Sequence, residues 1–205
     1  MPKIKLSKHE LKRQRDSLEQ FLHYLPTLQL KKQQLQIKIF QIRTELEKKQ
    51  GAFDVVYQNI LTWIGLLADP GVDIKPWIRP QEINLQTQNI AGADIPVLGN
   101  VVFLPLEYDF YGMPFWVDEA IEKIRVFCSL LIEIRILEKQ IAVLHKELMV
   151  TTQRVNLFEK VKIPECVENI RIIRIYLGDQ QANAVGVSKV AKRKIEKAVL
   201  EEALT

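Results

Sequence analysis

Cysteine is scarce in this sequence. It holds two, Cys128 and Cys166, too few for the disulfide framework of a small secreted fold, and this suits a reducing compartment. Long apolar runs are missing as well. The longest, around Ile60–Ala68 and Val101–Leu106, fall far short of the roughly 20 residues needed to cross a bilayer. The basic N-terminus leads into no apolar h-region, so no secretory signal is expected. Glycine and proline number only 8 and 9 in 205 residues, which excludes collagen-like and linker-dominated chains. What remains, 47 % apolar and 26 % charged residues with a net charge of +4, is the composition of a soluble protein of one-domain length. The expected location is cytoplasmic, peripheral to a membrane only through a larger complex.

The few glycines and prolines are unevenly spread. Residues 1–50 contain two prolines and no glycine, residues 65–114 contain five glycines and six prolines, and residues 115–177 contain only Pro164. The chain therefore divides into an N-terminal helix over 1–66, an irregular region over 67–114, a second helix over 115–178, and a basic, partly helical tail over 179–205.

The first arm carries a heptad. Ile4, Leu11, Leu18, Leu25, Lys32, Ile39, Leu46, Phe53 and Ile60 recur every seven residues, with Ser7, Gln14, Phe21, Leu28, Leu35, Ile42, Lys49, Val56 and Trp63 beside them; fourteen of the eighteen are apolar. In the second arm Phe127, Leu130, Ile134, Leu137, Ile141, Leu144, Leu148, Thr151, Val155 and Phe158 step by 3 and 4. Such spacing marks coiled-coil seams. Pairing Phe53 with Phe127, Leu46 with Ile134, Ile42 with Leu137, Ile39 with Ile141, Leu35 with Leu144 and Phe21 with Phe158 gives residue numbers that sum to 179 or 180. A constant sum is the signature of an antiparallel hairpin. Each buried Leu or Ile contributes about 1.5–3 kcal/mol, so pairing the two stripes is the cheapest arrangement within one chain. About 60 residues of helix would make a rod roughly 90 Å long. Lys32 and Lys49 interrupt the seam, and their stems are expected to pack while their heads reach water. Pro26 predicts a kink near Leu22–Pro26, and Pro164 a disturbance of the second helix.

The middle region has another texture. Asp69-Pro70-Gly71 reads as a helix stop. Ile83, Leu85 and Thr87 alternate with polar residues, and Val101–Leu104 is β-branched and aromatic, which predicts two strands with Gly92 and Leu98-Gly99-Asn100 between them. Two strands alone are marginal in water, so this small hairpin, mounted at the closed end, should lie on the coil or on another subunit. The fold class is thus all-α dominated: a long antiparallel two-helix coiled coil with a small β-hairpin region.

The residues offer no enzyme site. Gly186-Val187-Ser188-Lys189 lacks the upstream glycine of a phosphate loop. His9, His23 and His145 are too far apart to share a metal. Cys128 and Cys166, 38 helical residues apart, would be separated by about 57 Å and read as packing residues. No cofactor, metal or catalytic residue is expected. Basic charge instead gathers at the open end: Lys3, Lys5, Lys8, Lys12, Arg13 and Arg15 in the first arm, and Lys189, Lys192, Arg193, Lys194 and Lys197 in the tail. Solubility alone would account for such a surface. Nucleic-acid binding lacks interleaved aromatics. Docking into an acidic or polar sleeve of a protein partner is the third reading.

The run Arg154-Val155-Asn156-Leu157-Phe158-Glu159-Lys160-Val161-Lys162-Ile163-Pro164 resembles the R-V-N-A-L-E-K-x-x-I-P segment of the D subunits of V/A-type rotary ATPases (V-type ATP synthases), with Leu157 for the usual Ala and Phe158 for the usual Leu. Ile170-Arg171-Ile172-Ile173-Arg174-Ile175-Tyr176-Leu177, Leu28–Leu35, Ile90–Pro96 and the Lys-rich Ser188–Lys197 are similar to further family segments, so the resemblance covers most of the chain. It implies a non-catalytic central-stalk shaft carrying torque between an ATP-hydrolysing or -synthesising ring and an ion-translocating membrane rotor. The implied partners are the catalytic and nucleotide-binding subunits of the head, the small F subunit of the stalk, and a socket subunit of the rotor; neither nucleic acid nor membrane insertion is implied. In that setting Leu35, Ile39, Ile42, Leu46, Leu137, Ile141, Leu144 and Leu148 would carry the torque-bearing core. Lys3, Lys5, Lys8, Lys12, Arg13, Lys189, Lys192, Arg193 and Lys194 would meet the catalytic ring, and Ile83, Leu85, Val101 and Phe103 the small stalk subunit. Trp77, Tyr108, Tyr111, Phe115 and Trp116 would either anchor the socket contact or form a mini-core under the hairpin. The rival from another class is a prefoldin-like coiled-coil chaperone subunit, whose open tips would be apolar rather than basic.

Overall fold

A computed structural model describes residues 5–68, 72, 74–106 and 112–202. Lys3, Tyr108, Tyr111 and the Asp69-Pro70-Gly71 helix stop lie outside the described residues. Helix α1 spans Lys8–Trp63 and ends in a 3₁₀ turn, Ile64–Ala68. A short α2, Lys75–Ile78, precedes strands β1, Pro80–Ile90, and β2, Ala93–Phe103. Helix α3, Trp116–Leu157, passes through a π turn, Phe158–Lys162, into α4, Ile163–Glu202. The described residues are mostly helical, with one two-stranded antiparallel sheet among them. It divides into two compact units, residues 30–152 and residues 1–29 with 153–205.

Local chemistry accounts for the element ends. The Ser7 hydroxyl accepts the Glu10 backbone N–H at 3.2 Å, and the Ser7 carbonyl takes the Leu11 N–H at 3.0 Å. Ser7 therefore caps α1, with Glu10 placed as in a capping box. Pro26 lies inside α1, and the helix continues through it. Pro164 has a different effect. It lacks an N–H, and its ring crowds the carbonyl four residues back. The helix answers by widening just ahead of it: the Ile163 N–H bonds to the Phe158 carbonyl, five residues back, the spacing of a π bulge.

In the unit of residues 30–152, Leu35, Ile39, Ile42, Leu137 and Leu144 form one buried cluster with Ala93 and Ile95 of the hairpin, and Leu46, Ile141 and Leu148 pack against it. Phe53 stacks on Phe127 with ring centroids 4.7 Å apart. Polar contacts also join the two helices here. Lys31 Nζ lies 2.6 Å from Glu147 Oε1, Lys49 Nζ lies 2.6 Å from Glu133 Oε2, and Arg43 reaches His145 Nε2 at 2.7 Å. The Lys49 head expected in water thus ends on a carboxylate of the other helix, because a half-buried ammonium gains more from a counter-charge beside it. In the other unit Phe21 and Phe158 meet at 5.0 Å. Asn169, buried in the seam, donates to Gln14 Oε1 at 3.3 Å, and Gln14 donates on to Glu10. Within each unit the helices therefore pair antiparallel in the register that the apolar stripes define.

The hairpin is longer than the sequence suggests. Pairing runs from Pro80↔Phe103 to Ile90↔Ala93, so Ala93–Asn100 is strand rather than connection, and Leu104 falls outside it. Cross-strand bonding and burial of Ala93 and Ile95 outweigh the local punctuation of Pro96 and Gly99. The turn is Ala91-Gly92, with φ of 51° and 80°. Two positive φ values define a type I′ turn, whose twist matches the strands. Asn89 fixes it, accepting the Gly92 N–H at 3.0 Å and donating to Asp94 at 2.6 Å. Gly99 is the extra residue of a bulge between Asn84↔Asn100 and Leu85↔Leu98; a Cβ there would come within 3.1 Å of the Asn84 carbonyl oxygen. From its root the hairpin lies back along the coil, and its turn sits beside Lys31.

Candidate interaction surfaces

Sheet geometry decides which hairpin side chains are free. Residues alternate between faces, and Ala93 and Ile95 are buried against the coil. The residues of β1 that point the other way include Ile83 and Leu85, 43 % and 56 % exposed. Val101, opposite Ile83, and Phe103 are half-buried. The four hairpin residues singled out from the sequence therefore divide into an exposed pair on β1 and a half-buried pair on β2.

The closed-end aromatics divide too. Trp77 and Trp116 pack against a second core of Ile74, Val117 and Ile121. Phe115 is fully exposed at 101 %. Trp77 and Trp116 thus join a local mini-core, whereas Phe115 is available to a partner.

Among the basic residues, Lys5, Lys8, Lys12, Arg13, Lys189, Lys192, Arg193 and Lys194 are exposed. Arg13 sits 3.8 Å from Glu10, and Lys192 sits 3.8 Å from Glu196. These distances leave most of the positive charge facing solvent. Sequence reasoning missed a second basic feature. In the unit formed by the two ends of the chain, Leu18, Leu22, Val167, Ile170 and Ile175 line a groove of about 640 Å³, rimmed by Arg15, Arg171 and Arg174 with one carboxylate, Glu19, among them. The signal was present in Arg171 and Arg174, three apart and so on one helix face, but spacing alone does not reveal the apolar floor beside them. Arg171 donates to Glu168 through Nε and Nη2, at 2.9 and 2.7 Å, and holds that carboxyl below the usual range.

The cysteines are free, Cys128 half-buried and Cys166 buried. Burial pushes both thiols up, and Glu165 adds to this at Cys166. Among the described residues no group of three or more His, Cys, Asp or Glu could hold a metal ion, and no helix is long and apolar enough to cross a membrane.

A family model for the D subunit of ATP synthase matches residues 10–193. The chain is similar to the V-type ATP synthase D subunit of Borreliella burgdorferi, 43 % identical over 197 residues that cover 96 % of this chain and 97 % of the relative. It is similar to the V-type ATP synthase D subunit of Chlamydia pneumoniae at 29 % over 195 residues, covering 94 % and 93 %. The same-named protein of Chlamydia caviae is 31 % identical over 195 residues, covering 94 % of each.

Proposed function

Because the chain belongs to the family of ATP synthase D subunits, we propose that it is the non-catalytic central-stalk subunit of a V/A-type rotary ATP synthase. It turns as the shaft between the catalytic head and the ion-translocating membrane rotor. The observation that carries this reading is the seam itself. Leu35, Ile39, Ile42, Leu137 and Leu144 are buried together, with Leu46, Ile141 and Leu148 packed against them. Interdigitated side chains at crystal-like density resist twisting, and torque transmission needs that property. The cross-helix ion pairs Lys31–Glu147 and Lys49–Glu133 brace the same stretch.

The remaining surfaces take roles accordingly. The exposed lysines and arginines at 5–13 and 189–194 face the catalytic and nucleotide-binding subunits. Long-range, salt-screened attraction suits a surface that must keep moving. Ile83 and Leu85, with Val101 and Phe103 on the neighbouring strand, receive the small F subunit of the stalk. Phe115 contributes to the socket contact, and the chain reaches the membrane peripherally through that socket. Native purification with subunit identification by mass spectrometry tests the whole reading. Recovery with ATP synthase head and rotor subunits supports it, whereas recovery with a changing set of unfolded proteins would favour a chaperone.

A further inference from the structure

We infer that Arg125 is the positioning residue that clamps the base of the β-hairpin to α3, and so sets how firmly the hairpin's exposed face receives a partner subunit. Three contacts converge on this one side chain. Its Nε donates to the Trp77 carbonyl at 2.8 Å, and its Nη2 donates to the Leu104 carbonyl at 2.6 Å. Its guanidinium carbon lies 5.2 Å from the centre of the Phe103 ring. Trp77 stands just before β1, and Leu104 just after β2. Pro80↔Phe103 is the outermost pair of the ladder. One side chain therefore holds the incoming leg, the outgoing leg and the last ring of the hairpin. Both carbonyls lie beyond the ends of the ladder, so strand pairing does not tie them down.

The hairpin has a second anchor at its turn, where Ala93 and Ile95 are buried in the coil's cluster. Between the two anchors runs a groove of about 310 Å³, lined both by charged side chains such as Lys38, Lys49 and Glu133 and by apolar ones such as Ile42, Val97 and Leu137. Val97 packs on the buried cluster there and Gln140 donates to the Pro96 carbonyl at 2.6 Å, so the turn half of the hairpin is held independently of Arg125, and losing the clamp should loosen the base. A guanidinium suits the base because it donates in two directions from one plane and stacks on an aromatic ring. A lysine ammonium is a point charge and does not span both carbonyls from a stacked position. The functional consequence rests on the reading that Ile83 and Leu85 meet the small stalk subunit. A hairpin already ordered spares the cost of ordering it on binding.

The experiment uses the full chain as Arg125→Ala and Arg125→Lys, with hydrogen exchange read by mass spectrometry and binding measured to the purified small stalk subunit. In both variants the amides flanking the hairpin base, within 80–84 and 100–103, should exchange about tenfold faster, while those of 35–46 and 137–148 hold their rates. Affinity for the stalk subunit should fall by about tenfold. A lysine variant with wild-type exchange and affinity would overturn the clamp, as would an alanine variant with neither changed. Should Arg125→Ala unfold the chain, Phe103→Leu removes the stacked ring and keeps apolar bulk. It should speed exchange at the same base amides, and unchanged rates there would also overturn the proposal. Failure of the wild-type chain to bind the stalk subunit would sink the assignment of that face alone, since the clamp is read from exchange.

Discussion

Gln140, on α3, donates its side-chain N–H to the main-chain carbonyl of Pro96, on β2, at 2.6 Å. The glutamine is only 6 % exposed, and this bond satisfies its amide inside the core. It also explains why a proline sits in a strand. In an antiparallel strand the N–H and C=O of one residue point to the same side. The Pro96 carbonyl points at α3, so the N–H that proline lacks would have pointed there as well. The ladder to β1 loses nothing, as expected of proline on an edge.

Gln140→Leu should therefore leave the half-buried Pro96 carbonyl without its donor, at a cost of about 1 kcal/mol. The loss should fall on the hairpin more than on the helices. Exchange of the Ile95 and Val97 amides should quicken while helicity by circular dichroism is retained.

Leu144 is fully buried, in the same cluster as Leu35 and Ile39. Leu144→Ala should cost about 2–5 kcal/mol through lost transfer energy and a residual cavity. Leu144→Asp should melt the paired helices, because a buried carboxylate there has no partner. Thermal denaturation followed by far-ultraviolet circular dichroism, a helix signal, separates the two. Wild-type melting in both variants would remove the seam.

Gly92 has a φ of 80°, where a Cβ is strained. Gly92→Ala should destabilise the turn by about 1–2 kcal/mol. The space is open, with Lys31 Nζ the nearest group at 3.7 Å, so backbone strain alone sets the cost. Urea unfolding midpoints report it.

Two pH effects follow from the ionisable groups. Burial raises the thiols of Cys128 and Cys166, so their thiolate fraction near neutral pH is small. Alkylation by iodoacetamide should be slow near neutral pH and quicken as pH climbs, and should rise sharply on unfolding at fixed pH. At Glu168 the sign is opposite. Arg171 lowers its folded pKa, so the pair's stabilisation is present above the ordinary carboxylate range and is lost as pH falls through the folded value. Arg171→Gln should move the Glu168 titration midpoint upward in a carboxyl NMR titration.

Truncating the last twelve residues should weaken coupling in the assembled motor while leaving the isolated chain folded. Proton or sodium uptake into vesicles driven by ATP is the readout, and unaltered pumping would count against a role for the tail.

The antiparallel seam was legible in the residues alone because a two-helix pair is defined by periodicity. Phe21 with Phe158 and Phe53 with Phe127 follow from spacing, since every apolar side chain in a stripe must meet another. The strand-forming character of Ile83–Thr87 and Val101–Phe103 was legible for the same kind of reason. The contacts of Arg125, Gln140 and Lys49 were not. Each depends on where a carbonyl or carboxylate from a distant segment comes to rest, and no local pattern encodes that. Tertiary packing also extended β2 through Pro96 and Gly99, since burying Ile95 and Ala93 on the coil outweighed the turn preference of their neighbours. Which residues pair along the helices was thus set by one-dimensional order; how the hairpin lies back on them was set only when the folded core offered its apolar side chains a place and its stray carbonyls a donor.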